Sequence, residues 1–425
     1  MDLTHDGRGV ARINGKAVFV DGALPGERVS LRVLKRRRSM DEAGLAQILS
    51  ASPDRVAPRC AHFGICGGCS LQHLSVDAQL AAKQRQLLED LQRIGKVQPQ
   101  QVLAPLRGPS WGYRRRARLG VKFVHKKGRV LVGFREREKP YLADIQRCEV
   151  LLDSLATLPQ DLAALTETLS IREQLPQVEV AAGDAAAALV FRVMQAPSAE
   201  DLEKIAHFGA QRGLLIFLQS GGLDSVRPLR DDYPPLSYAV DGGAITLEFG
   251  PVDFIQVNRA MNVSMVDAAV ALLQPRETDQ VLDLFCGLGN FTLPMARRAR
   301  RVMGVEGDAA LLDKARANAR RNGIGNAEFA VDNLFEPAKC GSWADAHYDL
   351  VMLDPPRAGA AELLGKMPKW LPRRVVYISC HPGSLARDAG ILVNELGFTL
   401  RAAGVMDMFP HTTHVESIAV FEADP

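Results

Sequence analysis

Val281–Ala296, VLDLFCGLGNFTLPMA, is the stretch that decides how the rest of the chain is read. It places Asp283 late in an apolar strand and then Gly287 and Gly289 in the turn that opens a helix. Glycines at such a turn let the backbone take positive φ and approach a ligand closely. Glu306 ends the next strand, 23 residues after Asp283, where a carboxylate can accept hydrogen bonds from both ribose hydroxyls. Outward from this point strand-like and helical runs alternate: VMGVE, AALLDKARANARRNG, AEFAVDN, YDLVMLD, a helix, VVYIS and a closing pair of strands. That alternation predicts an α/β doubly wound, Rossmann-like domain over 251–425, with its ligand at the carboxyl ends of the strands. Asp332 and Asn333 end one strand and Asp354 another, so four polar positions converge on one crevice and predict a bound adenosyl group. The third glycine of the dinucleotide fingerprint is missing, which favours S-adenosylmethionine over NAD. The plainer alternative is a tight turn with Glu306 solvated.

Upstream the pattern changes. Residues 1–52 hold short β-rich runs broken by glycine, as in a small OB-like β-barrel. Ser52–Pro58 reads as a linker. Residues 53–250 read as an α+β central domain. Its helix VDAQLAAKQRQLLEDLQRIG has Gly95 as a plausible cap, and its strands RARLGVKFV, RVLVGF, AAALVFRV and GLLIFLQ are interrupted by one helical stretch around 151–168.

Four of the seven cysteines form a pattern: Cys60, Cys66 and Cys69 in CAHFGICGGCSLQHL, and Cys148 in DIQRCEV. An odd cysteine total in a chain of 425 residues without a basic-then-apolar leader argues against a disulfide framework. Three clustered thiols plus a remote fourth resemble iron–sulfur ligation more than the two close pairs usual for structural zinc. No apolar run is long enough to span a bilayer, and a cytoplasmic, monomeric protein without membrane association is expected.

The net charge of +3 hides an asymmetry, because residues 1–150 carry 28 Lys+Arg against 14 Asp+Glu, while the remainder carries 24 against 35. Two dense runs, Lys35–Arg38 and YRRRARLGVKFVHKKGR, favour a polyanion such as RNA as partner, with Phe63, Trp111 and Tyr113 available for stacking or for core packing.

Cys380 ends a strand in RVVYISCHPGSLARD beside His381 and a helix start, where a thiol can have a lowered pKa and act as a nucleophile. Cys286 and Cys340 carry no such signal and read as small hydrophobes. Glu416 in HTTHVESIAVFEADP stands just before or early in the last strand.

Together the cysteine loop, GLGNFT, LDPPR, SCHPGSLARD and HVES resemble the RNA uracil-C5 methyltransferases over most of the chain, and HDGRGVARINGKAVFVDGALPGERV is similar to the RNA-binding TRAM domain. Having both the TRAM segment and the cysteine loop is most similar to the branch directed at uracil-1939 of 23S ribosomal RNA. The resemblance implies Cys380 as nucleophile at uracil C6 and Glu416 as the base that removes the C5 proton. It implies Gln256, Phe285, Asn290, Glu306, Asn333 and Asp354 as S-adenosylmethionine contacts, and Cys60, Cys66, Cys69 and Cys148 as ligands of a [4Fe-4S] cluster. A stacked uridine would have to be flipped out to reach the thiol. Methylation of a tRNA or of another ribosomal uridine, an RNA-binding protein with an inactive domain, and an iron–sulfur oxidoreductase using NAD are the rival readings.

Overall fold

The computed structural model describes residues 2–423. Strands β1 (Asp2–Leu3), β2 (Gly9–Ile13), β3 (Lys16–Asp21), β4 (Arg28–Arg36) and β5 (Met40–Ser50) form one sheet in the order β1-β2-β3-β5-β4. Among the described residues no ladder joins β1 to β4, so the closure expected of a barrel is not made by hydrogen bonds. The core here is small, centred on Val18, Val20, Ala23 and Ala43. The sheet is therefore fastened from outside: Arg55 reaches Glu27 at 2.8 Å and the Gly22 carbonyl at 2.7 Å, and Arg137 pairs with Asp21 at 2.7 Å.

Helix α1 (Val76–Asp90), N-capped by Ser75, runs into a wider turn over Leu91–Gly95. Gly95 does not cap it. Lys96 takes the left-handed conformation, while a Cβ on Gly95 would come within 2.3 Å of the Ala386 carbonyl oxygen. Glycine is needed there for close backbone approach. The short strand β6 (Gln101–Val102) follows.

The central sheet contains β7 (Arg116–Val124), β8 (Arg129–Gly133), β9 (Gln177–Ala182), β10 (Ala187–Arg192), β11 (Leu214–Gln219) and β12 (Arg227–Pro228) in the order β12-β11-β10-β9-β7-β8. It carries α2 (Leu158–Glu167) and a second helix, α3 (Ala199–Arg212), where sequence periodicity gives only one. The end signals of α3 are nonetheless present: Ser198 and Asp201 form a reciprocal capping box and Gly213 closes the helix in the left-handed conformation. Strands β13 (Leu236–Val240) and β14 (Ile245–Phe249) make a separate hairpin.

The C-terminal part follows the doubly wound plan: α4 (Arg259–Leu273), β15 (Gln280–Leu284), α5 (Thr292–Ala296), β16 (Arg301–Glu306), α6 (Ala309–Arg321), β17 (Ala327–Val331), β18 (Leu350–Leu353), short helices α7 (Ala361–Leu364) and α8 (Met367–Trp370), β19 (Arg374–Ser379), α9 (Pro382–Asn394), β20 (Phe398–Met406) and β21 (Glu416–Ala423). The sheet order is β17-β16-β15-β18-β19-β21-β20-β6, parallel from β17 to β19, with β21 inserted antiparallel between β19 and β20. Both faces are covered, so successive residues enter different cores: Val281 belongs to the one that holds Met265 and Val266 of α4, and Leu282 to the one that holds Leu385 and Leu392 of α9 and Leu87 of α1. Each such side chain contributes about 1.5–3 kcal/mol. Helix α1 and strand β6, from the stretch read as central, thus belong structurally to this sheet.

Candidate active site

The turn after β15 has positive φ at Phe285, Gly287 and Gly289. A Cβ on Gly287 would meet nothing within 4 Å, so the backbone faces open space where a ligand can lie. Glu306, closing β16, accepts from Gly287 N–H at 3.2 Å and Gly307 N–H at 2.7 Å. Asp283 is fully buried. Thr292 donates to its Oδ2, its Oδ1 has no partner, and burial pushes its carboxyl up to about 7.

Strand β18 delivers Asp354, whose carboxyl burial also pushes up to about 7. The antiparallel register Ser379↔Ser417 between β19 and β21 sets the next pair, Cys380 and Glu416, across from each other. Glu416 is 4% exposed. Its side chain accepts no hydrogen bond among the described residues, and burial, reinforced by Asp354 and opposed by Lys83, pushes it up to about 8. Burial first, then Glu416 and Asp354, push the Cys380 thiol up to about 11. The lowered thiol pKa expected beside a histidine and a helix start is therefore corrected. His381 caps α9 by accepting from Ser384 N–H at 3.1 Å, and burial disfavours its charged form, so it brings no cation to the thiol.

The other expected contacts are placed unequally. Phe285 lies beside the crevice with its ring 5.8 Å from that of Phe335. Asn333 is exposed, accepting from Phe335 N–H at 3.1 Å, whereas Asp332 is taken up by Gly341 N–H and the Trp343 indole, both at 2.7 Å. Asp332 is thus a loop fastener rather than a free adenine contact. Asn290 forms a reciprocal amide pair with Asn262 at 3.0 and 3.1 Å and accepts from Tyr238 at 3.2 Å, which locks the turn against α4. The Gln256 carbonyl accepts from Arg115 Nε at 2.8 Å.

Arg115 corrects the reading of the basic run. It is 1% exposed, with its guanidinium 4.5 Å from the centre of the Tyr238 ring, and Arg116 donates to the carbonyls of Val252 and Asp253. These two cations brace the segment before α4, while Lys35–Arg38 are exposed. The aromatics are used internally too: Tyr113 is buried with its hydroxyl on the Pro410 carbonyl at 3.1 Å, Trp111 stacks on His411 at 3.8 Å, and Phe63 packs near His73 at 5.3 Å.

Cys60, Cys66, Cys69 and Cys148 line one cavity of about 100 Å³. Burial, and then the neighbouring thiols, push Cys66 up to about 11 and Cys69 up to about 12. Among the described residues no three thiol, imidazole or carboxylate groups converge closely enough to hold a single ion. A mononuclear zinc site, with Zn–S bonds of about 2.3 Å, needs such convergence. Cys148 is buried and Cys60, Cys66 and Cys69 are half-buried around this shared void, and a cationic group held among them would favour the ionised forms of Cys66 and Cys69.

Buried carboxylates without donors and an apposed thiol likewise suit a ligand that brings hydroxyl and amine donors and a positive charge. S-adenosylmethionine brings all three. The doubly wound sheet, its glycine turn and this crevice define the class as a Rossmann-like methyltransferase fold. The model of the family described as tRNA (Uracil-5-)-methyltransferase matches residues 75–423, and that of the TRAM domain matches residues 1–40. The chain is 54% identical over 424 residues to the 23S rRNA (uracil(1939)-C(5))-methyltransferase RlmD of Methylococcus capsulatus, covering 99% of this chain and 95% of that one. It is 52% identical over 425 residues to the protein of the same name from Stenotrophomonas maltophilia, at 99% and 96% coverage. The solved Pyrococcus abyssi tRNA (uracil-54, C5)-methyltransferase with S-adenosyl-L-homocysteine superimposes with a TM-score of 0.75 over 99% of this chain and 98% of that one, at 24% identity. The chain belongs to the tRNA (uracil-5-)-methyltransferase family.

Proposed function

We propose that this protein methylates C5 of uracil-1939 in 23S ribosomal RNA with S-adenosylmethionine as methyl donor. The observation that carries the reading is the apposition of Cys380 and Glu416 by the β19–β21 register, next to a crevice edged by Glu306, Asp354 and the Gly287 turn. Two full-length relatives bearing that name support the choice of substrate.

C5 of uracil is a poor nucleophile. The Cys380 thiolate, adding to C6, turns C5 into an enolate carbon able to take a methyl group. Bound S-adenosylmethionine supplies that group as an electrophilic sulfonium methyl. Glu416 then takes the C5 proton, after which the C6–S bond breaks and the thiolate leaves. A thiol near 11 and a carboxyl near 8 are poorly ionised alone, and a neighbouring positive charge favours both anions. Glu306 is suited to the ribose hydroxyls, with Phe285, Asn333 and Asp354 flanking the base and Gln256 and Asn290 completing the S-adenosylmethionine contacts, Asn290 from the turn that it locks against α4. Cys60, Cys66, Cys69 and Cys148 would hold a [4Fe-4S] cluster with a structural role. The strand order of the N-terminal sheet, with β3 and β5 parallel, supports an OB-type RNA-binding module. A monomeric, cytoplasmic protein fits the reading, and no helix among the described residues is long and apolar enough to cross a membrane.

The test uses 5-fluorouridine-substituted fragments of 23S ribosomal RNA with S-adenosylmethionine on a denaturing gel. Fluorine at C5 cannot leave as a proton, so a Cys380-dependent shifted band is expected from the fragment holding the target. No band with any fragment, despite cofactor binding, refutes the reading.

A further inference from the structure

The segment between β20 and β21, Asp407–Val415, leads to Glu416 and, besides a local turn at Phe409–His414, is held by distant parts of the chain. Lys83 of α1 pairs with Asp407 at 2.9 Å and donates to the Phe409 carbonyl at 3.0 Å. Gln79, one turn earlier, accepts from His411 N–H at 2.8 Å. The N–H groups of Ser70 and Leu71, just after Cys69, both donate to the His411 carbonyl at 2.9 Å, and His411 sits at φ +65°.

Lys83 differs in kind from the other fasteners. Its side chain is 3% exposed and that of Asp407 2%. Burying such a pair costs several kcal/mol per ion before their attraction offsets it, and Gln79 shows that a neutral amide suffices to fasten a loop. Asp407 directly follows Met406, the register partner of Glu416, so the ion pair lies one residue from the carboxylate strand end. Among the described residues Glu416 meets Asp354 from the end of β18, Cys380 from the end of β19 and Lys83 from α1, while Asp407, the first residue of the segment, is paired to Lys83. Lys83 is the one cation among these four.

We propose that Lys83 is a positioning residue for Glu416: anchored on Asp407 and Phe409, it fixes the segment that carries the carboxylate and holds a positive charge beside it for the proton-removal step. The inference rests on the reading of Glu416 as the base. It is tested on the full-length protein in single turnovers that separate the two halves of the reaction. Adduct formation on 5-fluorouridine RNA needs Cys380 and the methyl donor but no base. Lys83→Met should form that adduct within about twofold of the unaltered rate, while product release from ordinary RNA should slow by about tenfold or more. The pH midpoint for release should rise in Lys83→Met, which removes the cation, and fall in Asp407→Asn, which frees the cation from its counter-ion. Equal slowing of both steps, or no opposed movement of the midpoint, overturns the proposal. If Lys83→Met does not fold, Lys83→Arg and Asp407→Asn decide: Lys83→Arg must keep the midpoint and Asp407→Asn must lower it, and failure of either overturns the role. If the unaltered protein gives no Cys380-dependent adduct, the methyltransferase reading itself fails, a result distinct from the others.

Discussion

The protein sets partly or wholly buried thiols in two kinds of surroundings. In the cysteine loop, Cys60, Cys66, Cys69 and Cys148 face one another across a void. At the end of β19, Cys380 faces two carboxylates. Burial raises the pKa of Cys66 and Cys69 in one place and of Cys380 in the other, so protonation alone does not tell the two places apart. Their neighbours do. A set of thiols around one void fits the proposed metal cluster, whereas one thiol opposite a carboxylate that can accept a proton fits the proposed addition to, and departure from, a carbon. Similar side chains in similar desolvation acquire different chemistry from what stands a few ångströms away.

That contrast can be broken most directly at Cys380. Cys380→Ala should lower methylation by at least about 10³-fold while keeping S-adenosylmethionine affinity and any bound iron; turnover near the unaltered rate would end the nucleophile assignment. Glu416→Gln should slow turnover by about 10²–10⁴-fold and leave methylated RNA covalently on the protein, visible on a denaturing gel. Cys69→Ser is the reciprocal case. It should lose iron, measured on anaerobically purified protein, and melt at lower temperature, because metal-binding energy is folding energy; a full iron content would show that the four thiols do not act as one ligand set. Glu306→Ala should weaken S-adenosylmethionine binding by about 10–100-fold in calorimetry, the worth of charge-assisted hydrogen bonds, with iron unchanged.

The smallest effect concerns pH. The folded Glu416 carboxyl, near 8, binds its proton more tightly than an unfolded one at the ordinary 4.5. Its contribution to stability is therefore complete below about 4.5 and is lost as pH rises through about 8. Glu416→Gln, fixed in the neutral form, should melt about 2–5 °C above the ligand-free unaltered protein at pH 9 and no higher at pH 4. Equal melting at both pH values would mean that the carboxylate is not held in a desolvated site.

Much of this was legible in the chain. The strand and helix alternation around VLDLFCGLGNFTLPMA carries the doubly wound sheet because both periods are local, and Gly287 and Glu306 are legible because strand ends in that topology share one edge. Arg115 was not: a run of arginines looks solvated, and only the packing of Tyr238 and the Gln256 carbonyl takes one of them inside. Helix α3 has its capping box in plain view, yet its apolar positions blend into the strands on either side. Gly95 looks like a helix cap, and its actual reason, the Ala386 carbonyl, lies 291 residues away in the sequence.

The sequence by itself determined the family, the sheet and the residue types at Cys380, Glu416 and the four-cysteine set, since these depend on local pattern and motif. Only the tertiary structure decided that His381 caps a helix rather than activates a thiol, and that α1 packs on the catalytic sheet. It also decided that Lys83 anchors the segment that carries Glu416. Desolvation and Coulomb forces act through space, so the charge state of a group follows neighbours that the chain order does not reveal.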